Sequence, residues 1–357
     1  MSIQYRAVQW NRHKRIYDLL LVAGVVLFIA VFMIVGLTRW QGTAAAHPVT
    51  LLMRATSSCA ITMLSIILMI GPAARLSPRF SPLLYNRRHF GVTMFLVALI
   101  HGAVAVFWYH GFGIVNPIVS VFTSNARYDS LSGFPFQPLG VLALAILFVM
   151  AATSHDFWLK NLTPTVWKTL HMLVYVAYAL IVMHVTLGFL QDDVSWVYGA
   201  LLGGTAVVII TLHLVTGVRE WRRDSRDEGQ AFGEGWIDVG SVDDIELNHA
   251  KVVVLRGCER IAVYRHADGI SAISNVCAHQ NGPLGEGRIV DGCVTCPWHG
   301  YQYLVHNGQS PPPYTEKIPT YDVRVEGRRI LVNPEANPPG TEVTPASIPS
   351  ETSGDRA

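Results

Sequence analysis

Cys277-Ala278-His279 and, after sixteen intervening residues, Cys296-Pro297-Trp298-His299-Gly300-Tyr301 decide how this chain is read. Two thiolates and two imidazoles arrive as paired hooks on separate loops. A [2Fe-2S] cluster with one iron on Cys and the other on His asks for that donor set. Imidazole ligands raise the potential of such a cluster to roughly −150 to +300 mV, and its chemistry moves one electron at a time. Zinc is the competing reading, because Cys and His also build tetrahedral zinc centres. Zinc hooks usually read Cys-x2-Cys or His-x3-His, and the mixed Cys-x-His/Cys-x2-His pair departs from that pattern.

The surroundings extend the argument. The alternating stretch 251–255, the turn at Asp268-Gly269, the Pro311-Pro312-Pro313 loop and a closing stretch at 321–325 predict a small all-β domain over 232–334. With the two hooks, this region resembles a Rieske domain of the soluble ferredoxin type. The resemblance implies Cys277, His279, Cys296 and His299 as cluster ligands. High-potential Rieske proteins carry an extra cysteine in each loop, joined as a disulfide, and a Ser bonded to a cluster sulfur. Here Gly282, Trp298 and Tyr301 stand at those positions. Fewer hydrogen bonds to sulfur set the expected potential toward the lower end of the range. Cys258 and Cys293 are expected in strands, as buried and inert thiols.

The remainder is membrane-like. The chain is 51% hydrophobic and only 15% charged over 357 residues, with the apolar residues gathered in the first two-thirds. Six stretches approach the about 20 residues that span a hydrocarbon core of about 30 Å: 18–38, 50–70, 90–109, 137–153, 166–189 and 196–217, the fourth being the shortest. The first is too long, and lacks the small-residue cleavage site, to be a signal peptide. The expected fold is therefore a membrane α-helical bundle of six transmembrane helices followed by a small all-β domain. Its segments are an N-terminal piece 1–17, the bundle 18–217, a linker 218–231, the Rieske domain 232–334 and a disordered tail 335–357 rich in Pro, Glu, Thr and Ser. Arg12, Lys14, Arg15, Arg75, Arg79, Arg87, Arg88, Lys160, Lys168, Arg219, Arg222 and Arg223 all fall on one set of alternate loops. The positive-inside rule then puts both termini and the β domain in the cytoplasm, a reducing compartment that suits a Rieske domain without a disulfide. A net charge of +2 points to no nucleic-acid partner.

Histidine within an apolar span is costly and usually functional. His89 and His101 lie on the third span, about 18 Å apart along a helix, and His171 and His184 on the fifth, about 19.5 Å apart. His89 is placed to face His171 and His101 to face His184, as in two stacked bis-histidine haems. Ideal helices, at 100° per residue, aim each same-span pair about 120–140° apart, so tilt or a local distortion is expected. The run Arg87-Arg88-His89-Phe90-Gly91 with His101, His171 and His184 resembles the ferric reductase-like transmembrane family over roughly residues 15–217. That family includes ferric reductases, NADPH oxidases and the haem-bearing subunit of periplasmic methionine-sulfoxide reductase systems. The resemblance implies six helices and one or two haems b, with His101, His171 and His184 at shared ligand positions and His89 at a position found in two-haem members. His213 is an alternative ligand or a quinone contact, and Arg54 either snorkels or meets a propionate. His110 reads as interfacial, and His155, His249, His266 and His306 as surface residues.

Relatives of this bundle usually join it to a flavin and nicotinamide module, but the chain carries no Gly-rich dinucleotide fingerprint and the Rieske domain takes that place. The expectation is a bacterial inner-membrane electron carrier. A cytoplasmic flavoprotein reductase would reduce the Rieske cluster, and single electrons would pass to intramembrane haem b and on to an extracytoplasmic or quinone acceptor. The alternatives are reverse flow from quinol or a periplasmic donor to a cytoplasmic oxygenase, a haem-free membrane anchor for a Rieske ferredoxin, and a redox or iron sensor.

Overall fold

The structure is a computed structural model that describes residues 12–39, 42, 47–80, 83, 86–131, 133–154, 158, 162, 164–192, 196–226, 230–231, 235–255, 260–279, 282–297, 300–312 and 314–349. It divides into two compact units, one up to residue 216 and one from 217 onward.

The first unit is helical. Its main elements are α1 (Arg12–Arg39), α2 (Pro48–Leu76), α3 (Arg87–His110), α4 (Pro117–Thr123), α5 (Gln137–Ala152), α6 (Pro164–Met172), α7 (Val174–Leu187) and α8 (Trp196–Arg226). Among the described residues, five helical runs are long and apolar enough to cross a membrane: three lie within α1, α2 and α3, the fourth is Thr169–Gln191, and the fifth lies within α8. At 16 residues, α5 is about 24 Å long, short of a core about 30 Å thick. Proline at the first helical position and the His47 ring accepting from the Val49 N–H start α2. Cys59, Met63, Leu64, Ile67 and Leu68 of α2 meet Met94, Phe95, Val97, Leu147, Val174, Ala177 and Ile209 in one buried cluster. On α1 the large apolar residues face outward instead: Leu20, Leu27 and Ile34, spaced by seven, are each more than 60% exposed. A helix with its apolar side chains outward is what hydrocarbon solvent permits.

The fifth crossing is broken. Between α6 and α7, Leu173 leaves the α-helical pattern, and its N–H bonds back to Leu170 O at 3.2 Å, a tighter i to i−3 turn. The break lies between His171 and His184, where the helical wheel called for a distortion.

The second unit is all-β. One antiparallel sheet runs β1-β2-β11-β10, a second β3-β4-β5-β9 and a third β6-β7-β8. The ranges are β1 Gln230–Ala231, β2 Ile237–Ser241, β3 Ala250–Val254, β4 Arg260–His266, β5 Gly269–Ser274, β6 Arg288–Val290, β7 Cys293–Thr295, β8 Gln302–Leu304, β9 Thr320–Tyr321, β10 Val323–Glu326 and β11 Arg329–Val332. Valines and isoleucines of β2–β5 and β11 fill one core. A second core collects Tyr264, Ile273, Leu284, Val294, Tyr301 and Tyr303 around Cys277 and Cys296.

Three sequence expectations are corrected here, the first being the linker 218–231: α8 runs on to Arg226, and Gln230–Ala231 form β1. Up to residue 349 the segment expected to be a disordered tail lies along the β unit: Ala346 exchanges both backbone hydrogen bonds with Ile270 at 2.8–2.9 Å, and Ile348 packs on the first core. Gly269 makes this approach possible, since at φ +132° a Cβ there would sit 2.3 Å from Ala346 O. His266, expected at the surface, is 6% exposed and pairs through Nε2 with Ser271 Oγ at 2.9 Å. Cys293 is buried as expected, and Cys258 and His155 lie outside the described residues.

Deleting residues 335–357 removes those hydrogen bonds and the Ile348 contact, together about 1–2 kcal/mol. At about 4–8 °C per kcal/mol for a domain of this size, the β unit is expected to melt several degrees earlier, read from cluster absorbance in the full-length protein. An unchanged midpoint contradicts a holding role for the segment.

Candidate functional site

The β unit brings the cysteines of the two hooks into one core. Cys277 and Cys296 are 1% and 2% exposed, belong to the same buried cluster, and remain free thiols. Each loop is pinned at its cysteine: Cys277 N–H donates to Gly282 O at 3.0 Å, and Cys296 N–H to Tyr301 O at 2.8 Å. The His279 ring stacks on Tyr301 at 4.8 Å and 10°, and the Tyr301 hydroxyl donates to Glu316. His299 and Trp298 lie outside the described residues. Two buried free thiols in one core, with the His279 ring stacked on a tyrosine of that core, are of the donor types a cluster asks for.

Sequence reading missed one contributor. Tyr303, fully buried, accepts the Ala278 N–H at 3.0 Å and lies 3.4 Å from Cys277 Sγ. Because its oxygen already accepts from the backbone, its own proton is available to the sulfur. Burial, and then the charge of Cys277, push its pKa far above the ordinary tyrosine value, so it stays a protonated donor. The expectation of few hydrogen bonds to sulfur is therefore short by one. Only the Cys-Pro-Trp-His-Gly-Tyr-Gln-Tyr spacing could have indicated it, since the second Tyr falls on the first residue pair of β8.

In the helical unit His101 and His184 come together, with ring centroids 6.5 Å apart and planes at 79°. His101 donates from Nδ1 to Met53 O at 3.1 Å, and His184 from Nδ1 to Phe136 O at 2.9 Å. Both rings are thus set in the tautomer whose Nε2 carries a lone pair, the usual arrangement of a metal-bound histidine. Two metal–nitrogen bonds of about 2 Å each leave about 2.5 Å of the 6.5 Å separation for the two ring radii. This pair fits a metal between two imidazoles. His171 also has its Nδ1 on a carbonyl, Trp167 O at 2.9 Å, with Ser154 Oγ 3.5 Å from Nε2 and the Trp167 ring stacked at 3.7 Å. His89 Nδ1 instead meets both carboxylate oxygens of Asp18, at 2.8 and 3.0 Å. His213 uses both nitrogens, on Ile209 O and Tyr175 OH, as does buried His110, on Ser120 and Gln137. Arg54 lies over the Phe189 ring at 5.1 Å.

The Tyr303→Phe substitution is expected to lower the midpoint potential of the cluster while keeping it assembled. A hydrogen bond worth about 1 kcal/mol corresponds to about 40 mV, given 59 mV per tenfold for one electron. Protein-film voltammetry or an EPR-monitored titration reads the shift, and an unmoved potential removes Tyr303 from the role.

Two family profiles match the chain: a ferric reductase-like transmembrane component over residues 56–182 and a Rieske [2Fe-2S] domain over 235–322. The ferredoxin subunit of anthranilate 1,2-dioxygenase from Burkholderia cepacia is 33% identical over 28% of this chain and 91% of its own length. The heme-binding subunit MsrQ of protein-methionine-sulfoxide reductase from Caulobacter vibrioides is 29% identical over 49% of this chain and 78% of its own. Among solved structures, a ferredoxin in complex with the oxygenase of carbazole 1,9a-dioxygenase matches at 27% identity and TM-score 0.27, over 29% of this chain and 95% of that one. Through its β unit the chain belongs to the Rieske [2Fe-2S] family, and its helices match the ferric reductase-like transmembrane component over 56–182; together they support a membrane electron-transfer protein.

Proposed function

We propose that this protein conducts single electrons across a bacterial inner membrane, from a cytoplasmic Rieske domain outward. The observation that carries the reading is the His101–His184 apposition, with Nδ1 of both rings anchored on backbone carbonyls. These two side chains would hold one haem b, and His89 with His171 a second, while Cys277, His279, Cys296 and His299 would hold the cluster. Bound there, the groups take up and release one electron at a time. The chain's own part is to fix the imidazole tautomers and to bury the thiolates among Tyr264, Tyr301 and Tyr303. The relative named as a heme-binding subunit supports haem in this bundle.

Orientation follows from the one-sided distribution of Arg and Lys among the loops. A cytoplasmic flavoprotein reductase is the proposed donor, and an extracytoplasmic or quinone acceptor the proposed outlet. Ferredoxin subunits of dioxygenases among the relatives favour one second reading, in which quinol or a periplasmic donor feeds a cytoplasmic oxygenase through the same residues.

Stopped-flow mixing of the dithionite-free, flavoprotein-reduced full chain tests the outward reading. Haem absorbance is expected to follow cluster reduction, and a haem that stays oxidised beside a reduced cluster rejects the reading. Absence of any Soret band in haem-replete expression would leave a membrane-anchored Rieske ferredoxin. The Gly140→Ala substitution gives a local check, because its Cβ would fall 2.9 Å from both Cε1 and Nδ1 of His184. The ring must move off Phe136 O, so the variant is expected to lose one haem by pyridine hemochromogen assay. Full retention would dissociate His184 from haem binding.

A further inference from the structure

Three of the four candidate ligand histidines rest Nδ1 on a neutral backbone carbonyl, and one does not. His89 rests on Asp18, across 71 positions of sequence, with both carboxylate oxygens within 3.0 Å. Asp18 is the single acidic residue of α1, a helix otherwise apolar from Leu19 to Leu37. The pair is largely buried, with side chains 24% and 30% exposed. A carboxylate placed there is costly unless it is paired. The pair ties α1 to α3, and this is all that a purely structural role would require.

We infer that Asp18 is a positioning residue that lowers the potential of the inner haem site relative to the value a neutral acceptor would set. It does so against the Arg87 and Arg88 cations, which act on His171 there. The inference rests on the proposed ligation of haem by His89. A carboxylate acceptor draws the Nδ1 proton more strongly than a carbonyl does, roughly doubling the strength of the hydrogen bond. The imidazole gains basicity at Nε2, and a more basic ligand favours the oxidised metal. A negative charge beside the site acts in the same direction. His101 and His184 donate only to the carbonyls of Met53 and Phe136, so the outer site receives neither effect. This asymmetry of acceptors is built into the chain rather than into the identical cofactors.

The test is a spectroelectrochemical titration of the detergent-purified full chain, comparing wild type with Asp18→Asn and Asp18→Glu, with haem per chain counted in His89→Ala. Asp18→Asn keeps the shape and a neutral acceptor. It is expected to raise the potential of the haem that His89→Ala removes by about tenfold in the electron equilibrium, 59 mV for one electron, with a smaller movement of the other. Asp18→Glu is expected to restore a value near wild type, which a mere loss of packing would not do. If His89→Ala loses one haem and Asp18→Asn leaves both potentials in place, the inference fails and the ligation stands. A shift confined to the haem that His89→Ala retains also overturns it. If His89→Ala keeps both haems, the ligation reading fails and takes the inference with it.

Discussion

An imidazole in an apolar bundle has two nitrogens and one useful lone pair, so the protein must occupy one nitrogen to present the other. That constraint organises the helical unit. Met53 O, Phe136 O and Trp167 O each take one Nδ1, and Asp18 takes a fourth. None of these acceptors is a spectator of the fold. Phe136 caps the head of α5, and its carbonyl takes the His184 ring as well as the N–H groups of Leu139 and Gly140, while Met53 offers a carbonyl from within α2 to a ring on α3. Gly140, one turn into α5, keeps the space that the His184 ring needs. The packing of α2 on α3 and α5 on α7 is therefore also the alignment of two rings.

The β unit solves the related problem for sulfur. A buried thiolate is costly unless donors surround it, and here one donor is a tyrosine whose own oxygen is held by Ala278 N–H. The tyrosine-rich second core supplies hydroxyls at the edges of an otherwise apolar interior, since Tyr264 likewise donates to Leu284 O. Packing and electrostatics are thus carried by the same side chains, and a change at Tyr303 touches both.

How much was legible in advance depended on the range of each interaction. The Cys and His hooks are local patterns a few residues long, and the apolar spans are periodicities, so both could be read directly. The break at Leu173 carries no Pro or Gly to announce it. Only the geometric misfit between His171 and His184 pointed there. Tyr303 on Cys277 and Asp18 on His89 join positions 26 and 71 apart, and no local rule reaches so far. The tail misled because its composition is that of disordered chains, yet it needs no core of its own: it borrows a strand edge at Ile270, opened by the missing Cβ of Gly269. His266 misled because it ends a strand beside an Asp-Gly turn, where outward side chains are common. There Ser271 gives it a buried partner.

A carrier of single electrons needs differences between its stations more than it needs reactive groups. Two haems of one chemical kind, held by four histidines, would be equivalent if their surroundings were equivalent. A sequence can break that equivalence by changing the ligands, by exposing one site to water or by placing a charge. The first option is not taken in the proposed sites, where every ligand is histidine. The third is visible as an acidic residue near the basic end of α1, within reach of the cation-rich start of α3 at Arg87 and Arg88. The chain thus sets a carboxylate on Nδ1 of the proposed inner ligand His89 and only neutral carbonyls on His101 and His184.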